Sequence, residues 1–467
     1  MSQTLDVLTQ LAKALEAGNY DAAPSTLTQG GALQIEDLSP VMNNVTFDNS
    51  HIKLQKMIGT SDCKSTLAQY NRQLSYGQFG GSAQLEGYVG LENTSDFVRI
   101  TVPMAFYSAI RRVTIASTMV ATVDGKKSDE RAAADEALRL AGDIEFDCFR
   151  GLDDFSNAGV FDGNPLTIPA LPNIHGLGLQ IRQSDFQVNS RDLMFAEYGS
   201  DDTVVISGGG VSLAQDKIED AAVRSSINFG TAQKLVVDPI VLANYNKLVF
   251  GKERIVLAGS PQDATGGQLN KQWVSGGTVS IEASQFLRGK AKPARPRSNG
   301  PAAPTIALGN SAAGSALAAG VYTYYVTSFS EVGESPASPA VASASITAGD
   351  KVTVTITHPG SGVFRGFNVY RSLVGGTAAS ARFIGRVVVT PNSSTTVFTD
   401  LGNKVPGFVT GYLLDTQGMD MPQLAPYSRL KLAVTDLAIP EAHFRFVTLK
   451  VESPRKSVLI DNLKGTI

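Results

Sequence analysis

Cysteine is scarce in this chain of 467 residues, which carries only Cys63 and Cys148. A disulfide framework in a secreted protein needs more cysteines than these two, and they stand far apart in the sequence. We therefore expect two free thiols and a protein made in a reducing compartment.

Histidine is also scarce, with four residues in the chain, and no two of them stand at metal-ligand spacing. The sequence contains no paired-histidine helix motif, no CxxC pair and no nucleophile elbow. We therefore predict no catalytic residue, no metal site and no cofactor, and expect that the protein is not an enzyme.

Long apolar runs are missing as well, since none approaches the roughly 20 residues that a membrane helix needs. The first residues lack the basic and apolar regions of a signal peptide. The formal net charge of -3 argues against strong nucleic-acid binding by the chain as a whole. These features predict assembly in a cytoplasm and no membrane partner.

What the chain does contain is a normal globular composition, with 43% hydrophobic and 18% charged residues. Its length predicts two or three domains. Short alternating segments separated by turn residues predict an all-β domain within 301–403, and the flanks mix helices with strands in an α+β pattern. The predicted strands of that β domain span 322–329, 352–357, 364–371, 383–389 and 395–399.

The N-terminal region predicts a short amphipathic helix over 4–17, with Leu5, Leu8 and Leu15 on one stripe. A helix of this length is marginal alone, so it docks either on a partner or on its own core. Further along, 64–105 predicts a two-stranded excursion with a glycine-rich middle around Phe79, Gly80 and Gly81. Such a long loop is usually functional or bound to a partner.

The clearest helix is predicted over 129–150, with Ser128 as its N-cap. Its apolar stripe is narrow and comprises Ala134, Leu138, Ala141, Ile144 and Cys148. We expect the charged residues of the helix to lie on solvent-exposed faces. They are Arg131, Asp135, Arg139, Asp143 and Asp147.

Residues 200–290 alternate between strand and helix signals. Strands are predicted at 203–206, 234–237, 254–257 and 278–281, and helices at about 212–225, with Ser212 as cap, and at 239–249. A basic, proline-rich run over 288–304 predicts a stiff linker or, less commonly, a phosphate contact. A strong strand at 443–451 and another at 457–460 fall in a tail that is short for a separate domain.

Three weaker candidates for ligand binding each have an alternative, purely structural explanation. The Gly208–Gly210 run suits either an anion-binding loop or a plain strand-to-helix turn. The pairs Asp153–Asp154 and Asp201–Asp202 suit either a cation or a solvated turn. The tyrosines at 322, 324 and 325 suit either stacking on a ligand or packing in a core.

Two family resemblances follow from these segments. The stretches 320–336 and 366–372 resemble strands of a fibronectin type III or immunoglobulin-like β-sandwich, although the late strand pair comes first in this chain. That resemblance implies a domain that binds or decorates, and Tyr322, Tyr324 and Arg365 are its candidate surface residues.

The remainder resembles the Hong Kong 97-type major capsid proteins of tailed bacteriophages. Residues 38–55 resemble the N-terminal arm, 64–105 the extended loop, 129–150 the spine helix, 190–290 the axial domain and 452–460 the final strand. The implied division is an N-terminal helix and arm (1–63), extended loop (64–105), peripheral domain (106–190), axial domain (191–300), immunoglobulin-like insertion (301–403) and a C-terminal segment completing the core (404–467).

This resemblance implies a major capsid protein that self-assembles into hexamers and pentamers of an icosahedral head around double-stranded DNA, and is located in the virion. Portal, scaffold or decoration proteins and packaged DNA are its implied further partners. Contact candidates between subunits are Leu5, Leu8, Leu15, Phe79, Gly80 and Gly81. The alternatives are a phage tail or baseplate protein with an immunoglobulin-like domain, and a surface adhesin or carbohydrate-active protein.

Overall fold

A computed structural model provides the structure of the chain. It describes residues 47–77, 83–90, 92–119, 127–151, 173–184, 203–231, 233–249, 271–288, 301–312, 314–330, 334–362, 364–390, 392–434 and 436–466. The inter-subunit candidates Leu5, Leu8, Leu15, Phe79, Gly80 and Gly81 lie outside these ranges, as do the two aspartate pairs and the strand predicted at 254–257.

The part of the chain that the structure describes contains six α-helices and twenty β-strands. The helices are α1 (Leu54–Met57), α2 (Ile115–Met119), α3 (Ser128–Arg150), α4 (Leu177–Ser184), α5 (Gln215–Ile227) and α6 (Pro239–Val249). The strands before residue 300 are β1 (Gly59–Asp62), β2 (Leu67–Ser75), β3 (Asp96–Pro103), β4 (Ala105–Thr114), β5 (Val205–Ser207), β6 (Lys234–Val237), β7 (Lys271–Val274) and β8 (Gly277–Ala283).

The later strands fall into two groups. The first group is β9 (Thr305–Ala312), β10 (Thr323–Phe329), β11 (Val341–Ala342), β12 (Asp350–Thr357), β13 (Gly366–Arg371), β14 (Arg382–Val388) and β15 (Thr395–Asp400). The second group is β16 (Phe408–Leu414), β17 (Met419–Lys431), β18 (Ala438–Val447), β19 (Lys450–Val451) and β20 (Val458–Lys464).

Two sheets combine strands from before residue 300 with strands from after residue 403. One has the order β1-β17-β18-β4, with β19 paired to β17, and the other has the order β5-β20-β16-β6-β8-β7. Two hydrophobic clusters support these sheets, and both draw residues from either side of the intervening stretch. We refer to this part of the protein as the body.

The strands β9 to β15 form two antiparallel sheets, with the orders β11-β10-β13-β14 and β15-β12-β9. A third hydrophobic cluster lies between them, and its buried residues run only from Leu317 to Phe398. Because the body clusters take no residue from 301–403, this sandwich has a core of its own.

The long helix α3 packs on the sheet that contains β4 and β18. Its C-terminal half is buried around Ile144, Cys148 and Phe149. Gly151 is the C-cap of the helix, and its amide donates to Asp147 O at 2.8 Å. A Cβ at this position would lie 2.0 Å from the Ile174 carbonyl oxygen, so only glycine fits the close approach of the two segments.

Several details of α3 differ from the sequence-based expectation. Ser128 is its first residue, and Lys127 stands at the N-cap without a side-chain hydrogen bond. The expected stripe is displaced at its N-terminal end, since Ala134 is exposed while Leu140 is buried. Asp147 was expected on a wet face but is buried, where it accepts a hydrogen bond from the Tyr107 hydroxyl at 2.6 Å. This hydrogen bond offsets part of the free energy that burying the carboxylate costs.

Elsewhere the boundaries of two elements are confirmed to the residue, namely β6 and α6. The helix expected to follow a Ser212 cap begins later, at Gln215, and Ala214 occupies its N-cap. The strand expected over 443–451 is instead the C-terminal part of β18 followed by the separate two-residue strand β19.

Candidate interaction surface

The surface residues expected in the sandwich are only partly at the surface. Tyr322 is 4% exposed and Tyr324 is fully buried, so neither ring is available to a ligand and both expectations are wrong. The Tyr324 hydroxyl instead donates to Asp400 within the core. Arg365 is exposed, and its role in binding stays a prediction.

Strand parity explains the error. Tyr324 points into the sandwich, so its neighbour Tyr325 points out of it and stacks on Tyr370 with ring centroids 4.6 Å apart. Consecutive residues of a strand face opposite sides, and the sequence did not indicate which tyrosine faced the core.

The glycine run after β5 is a turn whose amides are already bonded within the chain. Gly208 N donates to Asp461 O at 2.6 Å and Gly210 N donates to Asn462 O at 2.9 Å. Gly209 N donates to the Ser207 hydroxyl at 3.2 Å. These bonds satisfy the donors that an anion would need, so the structure favours the turn interpretation.

No group of three or more potential metal ligands lies together within the residues that the structure describes. The histidines have separate local roles: His51 contacts Asp48, His358 lies against Phe367, and His443 pairs with Tyr427. Burial lowers the pKa of His175 to about 4, which keeps that imidazole neutral at physiological pH.

One exposed apolar surface in the described ranges is a face of the sheet that contains β4 and β18. Burial alternates along β4, and Phe106 and Ile110 are 51% and 63% exposed on the face away from α3. In the register of the neighbouring strand, Phe446 lies opposite Phe106. Their rings meet edge to face at 5.0 Å, and Phe444 lies 5.2 Å from Phe446.

Leu430 of β17 continues this surface opposite Ala442 and is 57% exposed. We call Phe106, Ile110, Leu430, Phe444 and Phe446 the phenylalanine face. Clustered aromatic side chains on an open sheet face are unusual for a surface that remains in water. The phenylalanine face therefore has the composition of an interaction surface.

The opposite side of the same sheet is occupied by α3 and is polar near the start of that helix. Arg111 of β4 donates to Glu136 at 2.8 Å, and Arg139 also pairs with Glu136. Burial would raise the pKa of Glu136, but the hydrogen bonds and charges of these two arginines lower it overall. Glu136 therefore carries its charge in a paired site, and the two sides of the sheet differ sharply in character.

A second exposed apolar region belongs to the antiparallel pair β2–β3, in which Leu67 lies opposite Pro103 and Gln73 opposite Phe97. The root of this hairpin is attached to the body. Tyr70 donates its hydroxyl proton to Val451 O at 2.9 Å, and Arg72 Nε donates to Glu452 O at 2.6 Å.

Beyond this root, the apolar residues of the hairpin are exposed. The exposed fractions are 84% for Tyr76, 77% for Leu85, 72% for Tyr88, 91% for Val89 and 67% for Phe97. These side chains pack little against the rest of the chain, so they are available to contact another molecule. We call Tyr76, Leu85, Tyr88 and Val89 the hairpin tip.

The segment that precedes β1 is fixed to α3. Glu145 accepts hydrogen bonds from the amides of Lys53, Leu54 and Gln55. Phe47 lies so close to the helix that a Cβ on Gly142 would be 2.6 Å from its ring. A segment reaching the body from the N-terminal side is therefore anchored here.

Neither the phenylalanine face nor the Glu145 anchor was identified from the sequence. The sequence signal for β4 is the alternation of residues along Ala105–Thr114. In that alternation Phe106 and Ile110 lie on the same side of the strand as Ser108 and Arg112. That mixture of aromatic, polar and charged residues obscured the apolar character of the face, which only pairing with β18 completes.

Two further structural facts bear on function. Both cysteines are free thiols, and burial raises the pKa of the Cys148 thiol well above its usual value. The described helices include none with the length and apolarity to span a bilayer.

Comparison with known proteins gives relatives along the whole chain. The major capsid proteins of Staphylococcus phage S25-3 and Staphylococcus phage K are each 22% identical over 469 aligned positions, which cover 97% of this chain and 94% of each relative. No protein-family model matches the chain.

Solved structures with a similar backbone fold include two capsids and an encapsulin complex. The capsid of a native GTA particle matches with 11% identity and a TM-score of 0.47, covering 95% of this chain and all of that one. The mature capsid of bacteriophage PhiM1 matches with 11% identity and a TM-score of 0.41, covering 96% and 100%. The SrpI encapsulin of Synechococcus elongatus PCC 7942 matches with 7% identity and a TM-score of 0.38, covering 91% and 93%.

The similarity to major capsid proteins extends over nearly the full length of both chains and is not confined to one module. It indicates a structural protein of phage type and not an enzyme.

Proposed function

We propose that this chain is a major capsid protein that self-assembles into hexamers and pentamers of an icosahedral phage head enclosing double-stranded DNA. The observation that carries the proposal is the similarity to phage major capsid proteins over 97% of the chain. A shell needs large repeated contacts and no catalytic site, and the two exposed apolar regions are suited to such contacts.

In this proposal the body has the Hong Kong 97-type fold. Helix α3 is the spine helix of the peripheral domain, and the sheet of β5, β6, β7, β8, β16 and β20 belongs to the axial domain. The β2–β3 hairpin is the extended loop, and the residues before the Glu145 anchor are the N-terminal arm. The domain boundaries after residues 63, 105, 190, 300 and 403 are part of the same proposal.

The hairpin tip and the phenylalanine face are the proposed contacts between subunits. Both are apolar, the residues of the hairpin tip are exposed, and those of the phenylalanine face are exposed or half-buried within one chain. A head-to-tail contact between two such regions on neighbouring copies repeats by rotation and closes a ring. Burial of these side chains would supply the apolar core that a stable protein–protein interface requires.

The sandwich is the proposed immunoglobulin-like insertion, projecting from the outer surface. Strand adjacency supports this assignment, since β10 lies between β11 and β13 in one sheet while β12 lies between β15 and β9 in the other. If β10–β11 are the late pair and β12–β13 the early strands, this neighbour pattern matches an immunoglobulin-like sandwich. A projecting domain on a shell would stabilise capsomers or bind a host surface.

The further proposed partners are portal, scaffold or decoration proteins and packaged DNA, and the proposed place of the mature protein is the virion after assembly in the host cytoplasm. DNA contact would be indirect and local, because the net charge of the chain is -3.

The test is to express the chain and to examine it by size-exclusion chromatography and negative-stain electron microscopy, alone and with the other head proteins of its phage. We expect rings, tubes or shells of many copies. A chain that stays monomeric in both preparations, at concentrations well above those of a capsid assembly reaction, would contradict the proposal.

A further inference from the structure

The linker that leaves the sandwich is held by side chains from both of the parts that it connects. It runs from the end of β15 at Asp400 to the start of β16 at Phe408. From the sandwich, Arg371 Nη2 donates to Lys404 O at 2.8 Å. From the body, the Asn462 side chain bonds the same short stretch on both sides of Lys404.

Asn462 uses both functions of its amide. Its Nδ2 donates to Asn403 O at 2.9 Å, and its Oδ1 accepts from Val405 N at 3.1 Å. This paired donor and acceptor imitates the backbone of a neighbouring strand, so the linker is fixed in register as well as in position.

The backbone around Asn462 is shaped for this contact. The register of β16 with β20 shifts between Val409–Gly411 and Leu463–Ile460, which leaves Asp461 and Asn462 opposite the single residue Thr410. This is a β-bulge, a feature that redirects a side chain out of the strand pattern. Asn462 has φ 55°, a left-handed conformation that asparagine tolerates better than most residues.

The other residue of the bulge, Asp461, adds a negative charge. Burial would raise the pKa of Asp461, but the Arg182 and Lys404 charges lower it overall. Arg182 Nη2 lies 2.5 Å from Asp461 Oδ2, and the Thr410 hydroxyl donates to Asp461 Oδ1 at 2.8 Å. The bulge thus places a carboxylate near the lysine of the linker while Asn462 binds the linker backbone.

On the sandwich side, Arg371 is equally fixed. It is 3% exposed, it pairs with Asp400, and Asp400 also accepts a hydrogen bond from Tyr324. The linker leaves this cluster after Gly402, whose φ of 74° and distance of 2.8 Å from its Cβ position to Leu317 N leave no room for a side chain. A continuous set of hydrogen bonds therefore joins the sandwich core to β20 of the body.

We infer that the Asp461–Asn462 bulge is a clip that sets the orientation of the sandwich on the body, and that the sandwich is a fixed projection and not a tethered one. Hydrogen bonds that two parts of a protein make to the same linker segment restrict hinge motion there, because opening the hinge requires breaking them. The inference stands whether or not the chain forms a shell.

The test uses the full-length chain with Asn462→Gly. Glycine accepts the left-handed backbone, so the variant removes the side-chain bonds without adding strain. Asn392→Gly is the matched control, because Asn392 also has a left-handed φ, of 57°, but lies in an exposed turn of the sandwich. Hydrogen exchange of the Val405 amide should become about tenfold faster in Asn462→Gly and stay unchanged in Asn392→Gly.

Orientation is measured by time-resolved fluorescence anisotropy. The label is attached at Ser361→Cys in a Cys63→Ser background, since Cys148 is buried and does not react. Ser361 follows β12 at Thr357, the end of that strand farther from Asp400, so it reports on the distal part of the sandwich. Asn462→Gly should add a segmental decay of the sandwich on the nanosecond to microsecond scale.

Asn462→Asp provides an intermediate case, because it keeps the acceptor for Val405 N and loses the donor to Asn403 O. A graded increase in segmental motion from the parent through Asn462→Asp to Asn462→Gly supports the clip. Equal motion in parent and Asn462→Gly overturns it, and so does an equal rise in the Asn392→Gly control.

Discussion

The carboxylate of Glu145 accepts a hydrogen bond from the Leu54 amide at 2.6 Å, across 91 positions of sequence. The same side chain also accepts from the amides of Lys53 and Gln55. The Lys53 side chain makes no N-cap hydrogen bond at the start of α1, so a residue of α3 performs that role from outside. One side chain thereby joins the segment leading into β1 to the longest helix of the chain.

Glu145→Ala should destabilise the protein by about 3 kcal/mol, because it leaves one buried and two partly buried backbone donors without their acceptor. Glu130→Ala is the matched control, since Glu130 is an exposed residue in the first turn of the same helix and should change stability by well under 1 kcal/mol. Urea unfolding followed by circular dichroism measures both. Equal stability of the two variants would contradict the anchoring role of Glu145.

The pH dependence of Glu145 has a defined sign. Burial raises its pKa above the ordinary value of 4.5, although the backbone hydrogen bonds of Leu54, Gln55 and Lys53 oppose the rise. A raised carboxyl pKa gives a stabilising contribution that is complete below pH 4.5 and is lost as pH rises through the folded-state pKa. The stability advantage of the parent over Glu145→Gln should therefore shrink as pH rises from below 4.5 to neutrality.

Unfolding free energies of parent and Glu145→Gln at several pH values test this directly. The opposite trend, in which the parent's advantage grows with pH, would mean that the backbone hydrogen bonds outweigh burial and that the pKa is lowered.

Local signals in the sequence predicted the elements that have clear ends. Proline at the first position of α6 and the apolar run of β6 gave both boundaries to the residue. The two-stranded excursion was also identifiable, because β3 alternates between apolar and polar residues. In these cases the information lies within a few consecutive residues.

Features that depend on distant pairing were not predictable in this way. Asp147 is buried because Tyr107 and Asn173, both far from it in sequence, provide hydrogen bonds. The choice between Tyr324 and Tyr325 as the inward residue of β10 depended on which side the second sheet covers. A shift of one residue exchanges the two faces of a strand, so composition alone cannot decide it.

The phenylalanine face gives a prediction about assembly. Phe106→Ser should strongly reduce the yield of large assemblies while changing the melting temperature of the isolated chain by only a few degrees, because Phe106 is 51% exposed in that chain. Val397→Ser is the matched control, as Val397 is an apolar residue with the same 51% exposure on a sandwich strand. Sedimentation velocity gives the assembled fraction for each variant.

A loss of assembly in both variants would point to general surface apolarity and not to this face. Full assembly of Phe106→Ser would remove the phenylalanine face from the proposed contacts between subunits.

Independent folding of the sandwich gives the last prediction. Replacing 302–403 with a short Gly/Ser bridge should leave a soluble body with a cooperative unfolding transition, because neither body cluster uses a residue of that stretch. The isolated fragment 301–403 should fold as well, around the cluster that includes Tyr324, Val354 and Phe367. Differential scanning calorimetry of the body, the fragment and the parent would resolve the transitions.

Val236→Ala is the positive control for damage to the body, since Val236 is fully buried in β6 and its truncation should cost about 2 kcal/mol. The melting temperature of the 302–403 deletion variant should lie closer to that of the body transition in the parent than the melting temperature of Val236→Ala does. The deletion removes Asn403, whose carbonyl oxygen accepts from Asn462 Nδ2, but keeps Val405, whose amide donates to Asn462 Oδ1. Any small loss of stability should therefore be confined to β20. An insoluble deletion chain together with an unfolded fragment would mean that body and sandwich form one cooperative unit.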